Sequence, residues 1–244
     1  METFERKEYK YYVRIEHLDI LRSRLLEYMT YDDYCKYPNE KHHYTVRSIY
    51  LDDRDMRFYY EKMDGVKIRK KVRIRTYNTA EDNFPAFLEI KRKFNDFIYK
   101  ERVKTTLDQT PTLLNGGFPN LEGGNSNFLE RSVLNKFVYL IKRRELTPKV
   151  LITYEREAFQ GVDDQNVRVT FDMNVRSFLY PNMGQIFREQ YLKPLTDSTF
   201  ILEIKFTGRM PIWIRNIVRE FKIRVEAISK YCNGIDVWEP AFSE

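Results

Sequence analysis

The sequence predicts an α+β fold: about eight antiparallel strands closed into a barrel with a charged bore, and helices packed outside. Three observations carry this. Strand-like segments with charged residues at every second position recur along the chain, apolar residues fill the intervening positions, and only three segments show helical spacing. The first strand sets Arg6, Glu8 and Lys10 on one face, with Tyr9 and Tyr11 opposite. Leu18, Leu21, Leu25 and Met29 then fall at helical spacing after Glu16-His17. From Lys67 to Arg75 all five odd positions are basic, while Ile68, Val72 and Ile74 share the other face. Glu89, Lys91 and Lys93 stand opposite Leu88 and Ile90; Lys100, Arg102 and Lys104 stand opposite Glu101 and Val103.

The stretch from Asp108 to Asn127 carries Pro111, Gly116, Gly117, Pro119, Gly123 and Gly124 and reads as a long connection with one helical turn, inside a single domain spanning residues 1–244. A helix follows from Asn127, with Glu130 as its cap partner and Leu129, Val133, Phe137, Leu140 and Ile141 as its apolar face. Arg156, Arg168, Glu203 and Lys205 continue the alternation on later strands, with a turn at Gly161-Val162-Asp163-Asp164. The third helix starts at Pro211 and runs through Ile214, Ile217 and Phe221.

Composition narrows the function. The 244 residues are 42% hydrophobic and 32% charged, enough for a sizeable core. No apolar run approaches the ~20 residues that span a bilayer, and the N-terminus has no signal-peptide core, so a cytoplasmic protein is expected. Cys35 and Cys232 form no disulfide framework or zinc spacing and read as ordinary thiols; Trp213 and Trp238 read as packing residues. His17 reads as a helix-boundary residue and His42-His43 as a surface turn. Neither a phosphate-binding G-x-x-x-x-G-K-[ST] loop nor a G-x-G-x-x-G dinucleotide fingerprint is present.

The net charge of +6 says little by itself; its placement says more. The charged strand faces hold fifteen cations (Arg6, Lys10, Lys67, Arg69, Lys71, Arg73, Arg75, Lys91, Lys93, Lys100, Arg102, Lys104, Arg156, Arg168 and Lys205) against Glu8, Glu89 and Glu203, although the whole chain has 42 basic and 36 acidic residues. Like charges on paired strands repel, by up to ~4 kcal/mol per close pair at an effective dielectric near 20. Such a face calls for a polyanion. Nucleic acid is disfavoured because the face offers few stacking aromatics and no recognition helix. Linear phosphates fit better, since Arg forks and Lys point charges both bind phosphate oxygens, and the three carboxylates suit a divalent metal beside them.

Seven motifs then appear in order: Arg6-Lys7-Glu8-Tyr9-Lys10-Tyr11, Ser48-Ile49-Tyr50-Leu51-Asp52, Val72-Arg73-Ile74-Arg75-Thr76-Tyr77, Leu88-Glu89-Ile90-Lys91, Tyr154-Glu155-Arg156-Glu157-Ala158-Phe159, Val167-Arg168-Val169-Thr170-Phe171-Asp172 and Leu202-Glu203-Ile204-Lys205. Together they resemble the VTC domain, the polyphosphate polymerase branch of the CYTH-like triphosphate tunnel metalloenzymes, from about Phe4 to Gly234.

The resemblance implies an eight-stranded antiparallel tunnel that binds ATP by its triphosphate and, with Mn2+ or Mg2+, transfers the γ-phosphoryl group to a growing inorganic polyphosphate. Matched residue by residue, phosphate contacts fall to Lys10, Lys62, Arg73, Arg75, Lys91, Lys104, Arg156, Arg168, Lys205 and Lys230, with Lys10, Arg73, Arg75, Lys205 and Glu203 carrying catalysis. Glu203 matches the metal-binding carboxylate; Glu8 and Glu89 either share that metal or orient lysines. Lys62 stands where the family can carry an arginine, and Ala227 where some members carry a second lysine before Lys230. No regulatory SPX segment or membrane helix accompanies these motifs, so a stand-alone catalytic domain is expected. The alternatives are a triphosphatase or polyphosphatase of the same fold and a non-catalytic polyphosphate-binding module. Sister hydrolases open with E-x-E-x-K, where this chain has Arg6, which favours the polymerase.

Overall fold

The computed structural model describes residues 6–35, 42–78, 85–94, 97–118 and 127–238. In chain order the elements are β1 (Arg6–Arg14), α1 (Leu18–Leu26), β2 (Met29–Tyr31), β3 (Tyr44–Asp52), α2 (Arg57–Met63), β4 (Ile68–Tyr77), β5 (Pro85–Phe94), β6 (Phe97–Thr106), α3 (Thr110–Leu114), α4 (Phe128–Arg144), β7 (Thr147–Gly161), β8 (Arg168–Leu179), β9 (Lys193–Pro194), β10 (Thr199–Thr207), α5 (Ile212–Glu220) and α6 (Lys230–Asp236). The chain falls into two compact units. One comprises Met1–Thr45, Tyr154–Val175 and Pro194–Ser229; the other comprises Val46–Thr153, Arg176–Lys193 and Lys230–Glu244. The strands β3, β7 and β8 run from one into the other.

The hydrogen-bonded strand order is β1-β10-β8-β7-β3-β4-β5-β6, with β2 on β7 and β9 on β8. β1·β10, β10·β8, β3·β4, β4·β5 and β5·β6 are antiparallel. This corrects the expected closed eight-stranded tunnel: β1 and β6 end the path, and among the described residues no ladder joins them. Alternation reveals which face of a strand is polar. Closure depends instead on strand tilt and stagger, which no local pattern encodes.

In the first unit, Tyr11, Val13, Val169, Phe171, Leu202, Ile204 and Phe206 form the apolar face of β1, β8 and β10. Leu21 and Leu25 of α1 and Ile214 and Ile217 of α5 join the same core. The rings of Phe159, Phe171 and Phe200 step across it at centroid separations of 5.1 and 5.0 Å. Such tilted pairs add about 1 kcal/mol each beyond area burial. The predicted first helix is shorter than its spacing implied: the Tyr28 amide donates to the Leu25 carbonyl as the helix closes, and Met29 enters β2 while remaining in this core.

In the second unit, Val72, Ile74, Leu88, Ile90 and Val103 form the buried face of β4, β5 and β6, and α4 packs on β5 and β6. The expected cap is present: Asn127 Oδ1 accepts from the Glu130 amide, and Glu130 Oε2 accepts from the Asn127 amide. The buried stripe of α4 is Leu134, Phe137, Val138 and Ile141; Leu129, predicted to face inward, is 72% exposed, and its neighbour Phe128 in the first turn is 84% exposed. Of the long connection after Asp108, α3 supplies the helical turn, while Pro119, Gly123 and Gly124 lie outside the described residues. Gly234 lets α6 lie close on β7, since a side chain there would run into Ile152. No described helix is long and apolar enough to cross a membrane.

Replacing Asn127 with Ala removes the side-chain oxygen that accepts from the Glu130 amide at an exposed helix start, while the residue-127 backbone amide can still donate to Glu130. Urea unfolding of Asn127→Ala is expected to show a loss of about 1 kcal/mol with an unchanged slope. An unchanged midpoint would mean that the cap contributes nothing.

Candidate phosphate-binding faces

Strand register brings the sequence-predicted residues together in two charged clusters, one in each unit. In the first unit, Glu8 pairs with Lys205 and Lys205 with Arg168, while Lys10 pairs with Glu203 and Glu203 with Thr170. All six side chains therefore share one sheet face, backed by the aromatic core. Lys205 Nζ lies 2.6 Å from Glu203 Oε1 and 3.9 Å from Glu8 Oε2; Lys10 Nζ lies 2.8 Å from Glu8 Oε1. Arg156, on β7, forks onto Asp172 at 2.6 and 2.7 Å and approaches Glu203 at 3.8 Å. Burial works against the charge on Arg156, but Asp172, Tyr154 and Glu203 overcome it and hold the guanidinium firmly protonated. Arg168 reaches Asp32 through Nη2 at 2.6 Å.

Two buried polar atoms of this face have no hydrogen-bond partner, Arg168 Nε and Thr170 Oγ1. Such groups are rare in folded proteins and are commonly completed by a bound water, ion or ligand; Thr105 Oγ1 and Glu89 Oε1 also make no hydrogen bond, although Glu89 Oε1 is ion-paired. Among the described residues no three His, Cys, Asp or Glu side chains gather into a metal cage. The donors present do fit magnesium or manganese in kind. Glu203 and Glu8 meet across Lys205, and the unsatisfied Thr170 hydroxyl stands beside Glu203 in register. One or two carboxylates completed by substrate phosphate oxygens is the usual protein environment of magnesium.

In the second unit the rungs are Tyr50–Arg73–Glu89–Arg102, Ser48–Arg75–Phe87–Lys104 and Lys71–Lys91–Lys100. Glu89 is 1% exposed and central. Its Oε2 takes Arg73 at 2.6 Å and Arg75 at 4.0 Å, and its Oε1 takes Lys100 at 2.6 Å and Arg102 at 3.6 Å. Burial would raise its pKa, yet Arg73, Arg75 and Lys100 hold it well below the usual carboxylate range. Glu89 thus sits inside an ion-paired cluster of Arg73, Arg75, Lys100 and Arg102. Arg75 also donates to Ser48 Oγ at 2.9 Å, and Arg102 stacks over Phe87 at 3.6 Å.

Sequence reasoning misses Tyr50 because its neighbours are apolar, yet its hydroxyl accepts from Arg73 Nη1 at 2.9 Å. Burial raises its pKa, but Arg73, Arg75 and Lys71 outweigh burial and bring it down to about 7. Tyr50 stacks on Tyr231 of α6, whose hydroxyl donates to Asp52. Asp52 in turn accepts from the Phe58 and Tyr59 amides at the start of α2. This buried chain ties α2, which carries Lys62, to α6, which opens with Lys230. Thr170, Asp172 and Asp32 escape sequence reasoning too. For the first two a signal exists, since they follow Arg168 at alternate positions.

The Tyr50 shift gives a pH test. The folded state sheds a phenolic proton near pH 7 that the unfolded chain keeps to about pH 10, so the unfolded state binds more protons and stability rises with pH between these values. Denaturant titrations of the wild type should climb by roughly 1 kcal/mol per pH unit in that window relative to Tyr50→Phe. Parallel profiles would show that Tyr50 stays protonated. Elsewhere, Cys35 is buried with its thiol pushed up to about 12 by burial, and His42 stacks on Tyr31, so neither joins these clusters.

Residues 5–239 match the profile of the VTC domain. The chain is 23% identical over 272 residues to vacuolar transporter chaperone complex subunit 4 of Schizosaccharomyces pombe, covering 96% of this chain and 37% of that protein. It is 23% identical over 276 residues to the subunit 4 of Trypanosoma cruzi, covering 96% and 34% respectively. The chain therefore spans little more than a third of the length of these curated relatives. Among solved structures, a candidate adenylate cyclase of Bacillus halodurans aligns with a TM-score of 0.51 at 14% identity, covering 94% of this chain and 96% of that one, which is a likeness of fold. On the extent of the family match, this chain belongs to the VTC domain family.

Proposed function

We propose that this chain is a polyphosphate polymerase that transfers the γ-phosphoryl group of ATP to a growing inorganic polyphosphate. The reading rests on VTC family membership and on one observation above the rest: the face that sets Glu203 beside Lys205 and Lys10 also holds two unsatisfied buried polar atoms, Arg168 Nε and Thr170 Oγ1. A terminal oxygen of the acceptor polyphosphate attacks the γ-phosphorus, a new P–O bond forms, and the bond to the β-phosphoryl oxygen breaks, releasing ADP. No protein nucleophile is needed, because positioning and charge neutralisation supply the catalysis.

In the first unit Lys10, Arg156, Arg168 and Lys205 bind phosphate oxygens. In the second unit Arg73, Arg75, Lys91, Lys104, Lys62 and Lys230 do so. Glu203, with Glu8, would hold Mg2+ or Mn2+, which neutralises phosphate charge when bound. Glu89 keeps Arg73 and Arg75 aligned rather than binding metal, being already enclosed by cations. A triphosphatase would use the same groups with water as acceptor. Arg6, on the same face of β1 as Glu8, supplies a cation where water activation would use a carboxylate, which favours transfer over hydrolysis.

Phosphorus NMR of the protein with ATP and Mg2+, repeated with Mn2+ and with Glu203→Gln, tests this. A growing signal from internal phosphates of a chain, lost in Glu203→Gln, is expected. Orthophosphate alone would make the chain a triphosphatase. Tight tripolyphosphate binding with no turnover under either metal would make it a binding module.

A further inference from the structure

At one end of the β4–β5–β6 ladder the apolar sheet face continues past its helical cover. Ile68 pairs with Phe94, Phe94 with Phe97, and Arg92 with Tyr99, so Ile68, Phe94, Phe97 and Tyr99 lie on the face that α4 covers lower down at Leu88, Ile90 and Val103. They are 57, 50, 55 and 56% exposed. Ile98, on the other side of β6, is 42% exposed. Scattered exposed apolar residues need no explanation, but four in contiguous register do.

The surrounding charge says what would cover them. At this end of the strands Lys70 and Arg92 share the apolar face with Glu101, and Arg69, Lys71, Lys91, Lys93 and Lys100 line its reverse. Glu101 is already paired with Arg92 at 2.6 Å and with Lys136. Lys70 and Arg92 stand on the apolar face itself, beside Ile68, Phe94 and Tyr99. Aromatic and aliphatic side chains collared by Lys and Arg complement the boundary of an anionic bilayer: rings enter the headgroup–acyl region and cations meet lipid phosphates and carboxylates. β6 is also an end of the strand path, so this face has no further strand beside it among the described residues.

We propose that this end of β4, β5 and β6 docks on an anionic lipid surface, seating Ile68, Phe94, Phe97 and Tyr99 at the interface. The docking is independent of the phosphate chemistry, as none of the four residues belongs to the charged clusters. The test is sedimentation of the full chain with phosphatidylcholine vesicles, with and without phosphatidylserine, in saturating tripolyphosphate so that the phosphate-binding cations are occupied. The wild type is expected to sediment with the serine-containing vesicles only. Phe94→Ser with Phe97→Ser, both exposed and so compatible with folding by circular dichroism, is expected to lower partitioning about tenfold or more while tripolyphosphate affinity stays unchanged. A Phe97→Trp variant should shift its emission to the blue on adding the same vesicles. Equal partitioning of the double variant, or an unshifted emission from Phe97→Trp, overturns the proposal. So does concentration-dependent self-association lost in the double variant, which would assign the face to a second copy of the chain.

Discussion

A carboxylate enclosed by four cations sets the terms for the β4–β5–β6 sheet. Arg73, Arg75, Lys100 and Arg102 come from the two strands on either side of Glu89 and converge on it. Without Glu89 the rung Tyr50–Arg73–Glu89–Arg102 would set guanidinium groups around an uncharged, dry position. Removing one partner from a buried ionic cluster costs on the order of 3 kcal/mol, because the remaining charges keep their desolvation and lose their compensation. The apolar side of the same strands is ordinary close packing against α4. The fold therefore stands on a conventional core and a charged face whose cations are held in register by one acid.

The first unit solves the same problem differently. Asp172, wholly buried, takes the fork of Arg156, Asp32 takes Arg168, and Glu8 and Glu203 share Lys205. Neutralisation is spread over four acids, which leaves Thr170 Oγ1 and Arg168 Nε unsatisfied beside them. One cluster gathers its cations around a central acid, whereas the other pairs them with separate acids. That contrast is why metal is proposed at Glu203 and Glu8 and cation alignment at Glu89.

Much of this is legible in the sequence because a strand writes its two faces at alternate positions. Arg73 and Arg75, Glu89 and Lys91, Glu203 and Lys205 each fall on one face as the alternation says, and the Asn127–Glu130 capping box appears where its spacing puts it. Three things are not legible. Closure depends on how the end strands meet. The partners of Arg156 and Arg168 are Asp172 and Asp32, and the sequence separation of 136 between Asp32 and Arg168 carries no local signal of their pairing. Tyr50 looks like a core residue between Ile49 and Leu51, and only register against Arg73 reveals its hydroxyl on the charged face.

These two strand faces are proposed to hold linear phosphate. A crystal structure grown with tripolyphosphate and Mn2+ tests it most directly. Phosphate density is expected against Arg168 Nε and Thr170 Oγ1 or against Arg73 and Arg75, with the anomalous signal of manganese at Glu203. Phosphate seated elsewhere, with Arg168 Nε and Thr170 Oγ1 still unsatisfied, would contradict it.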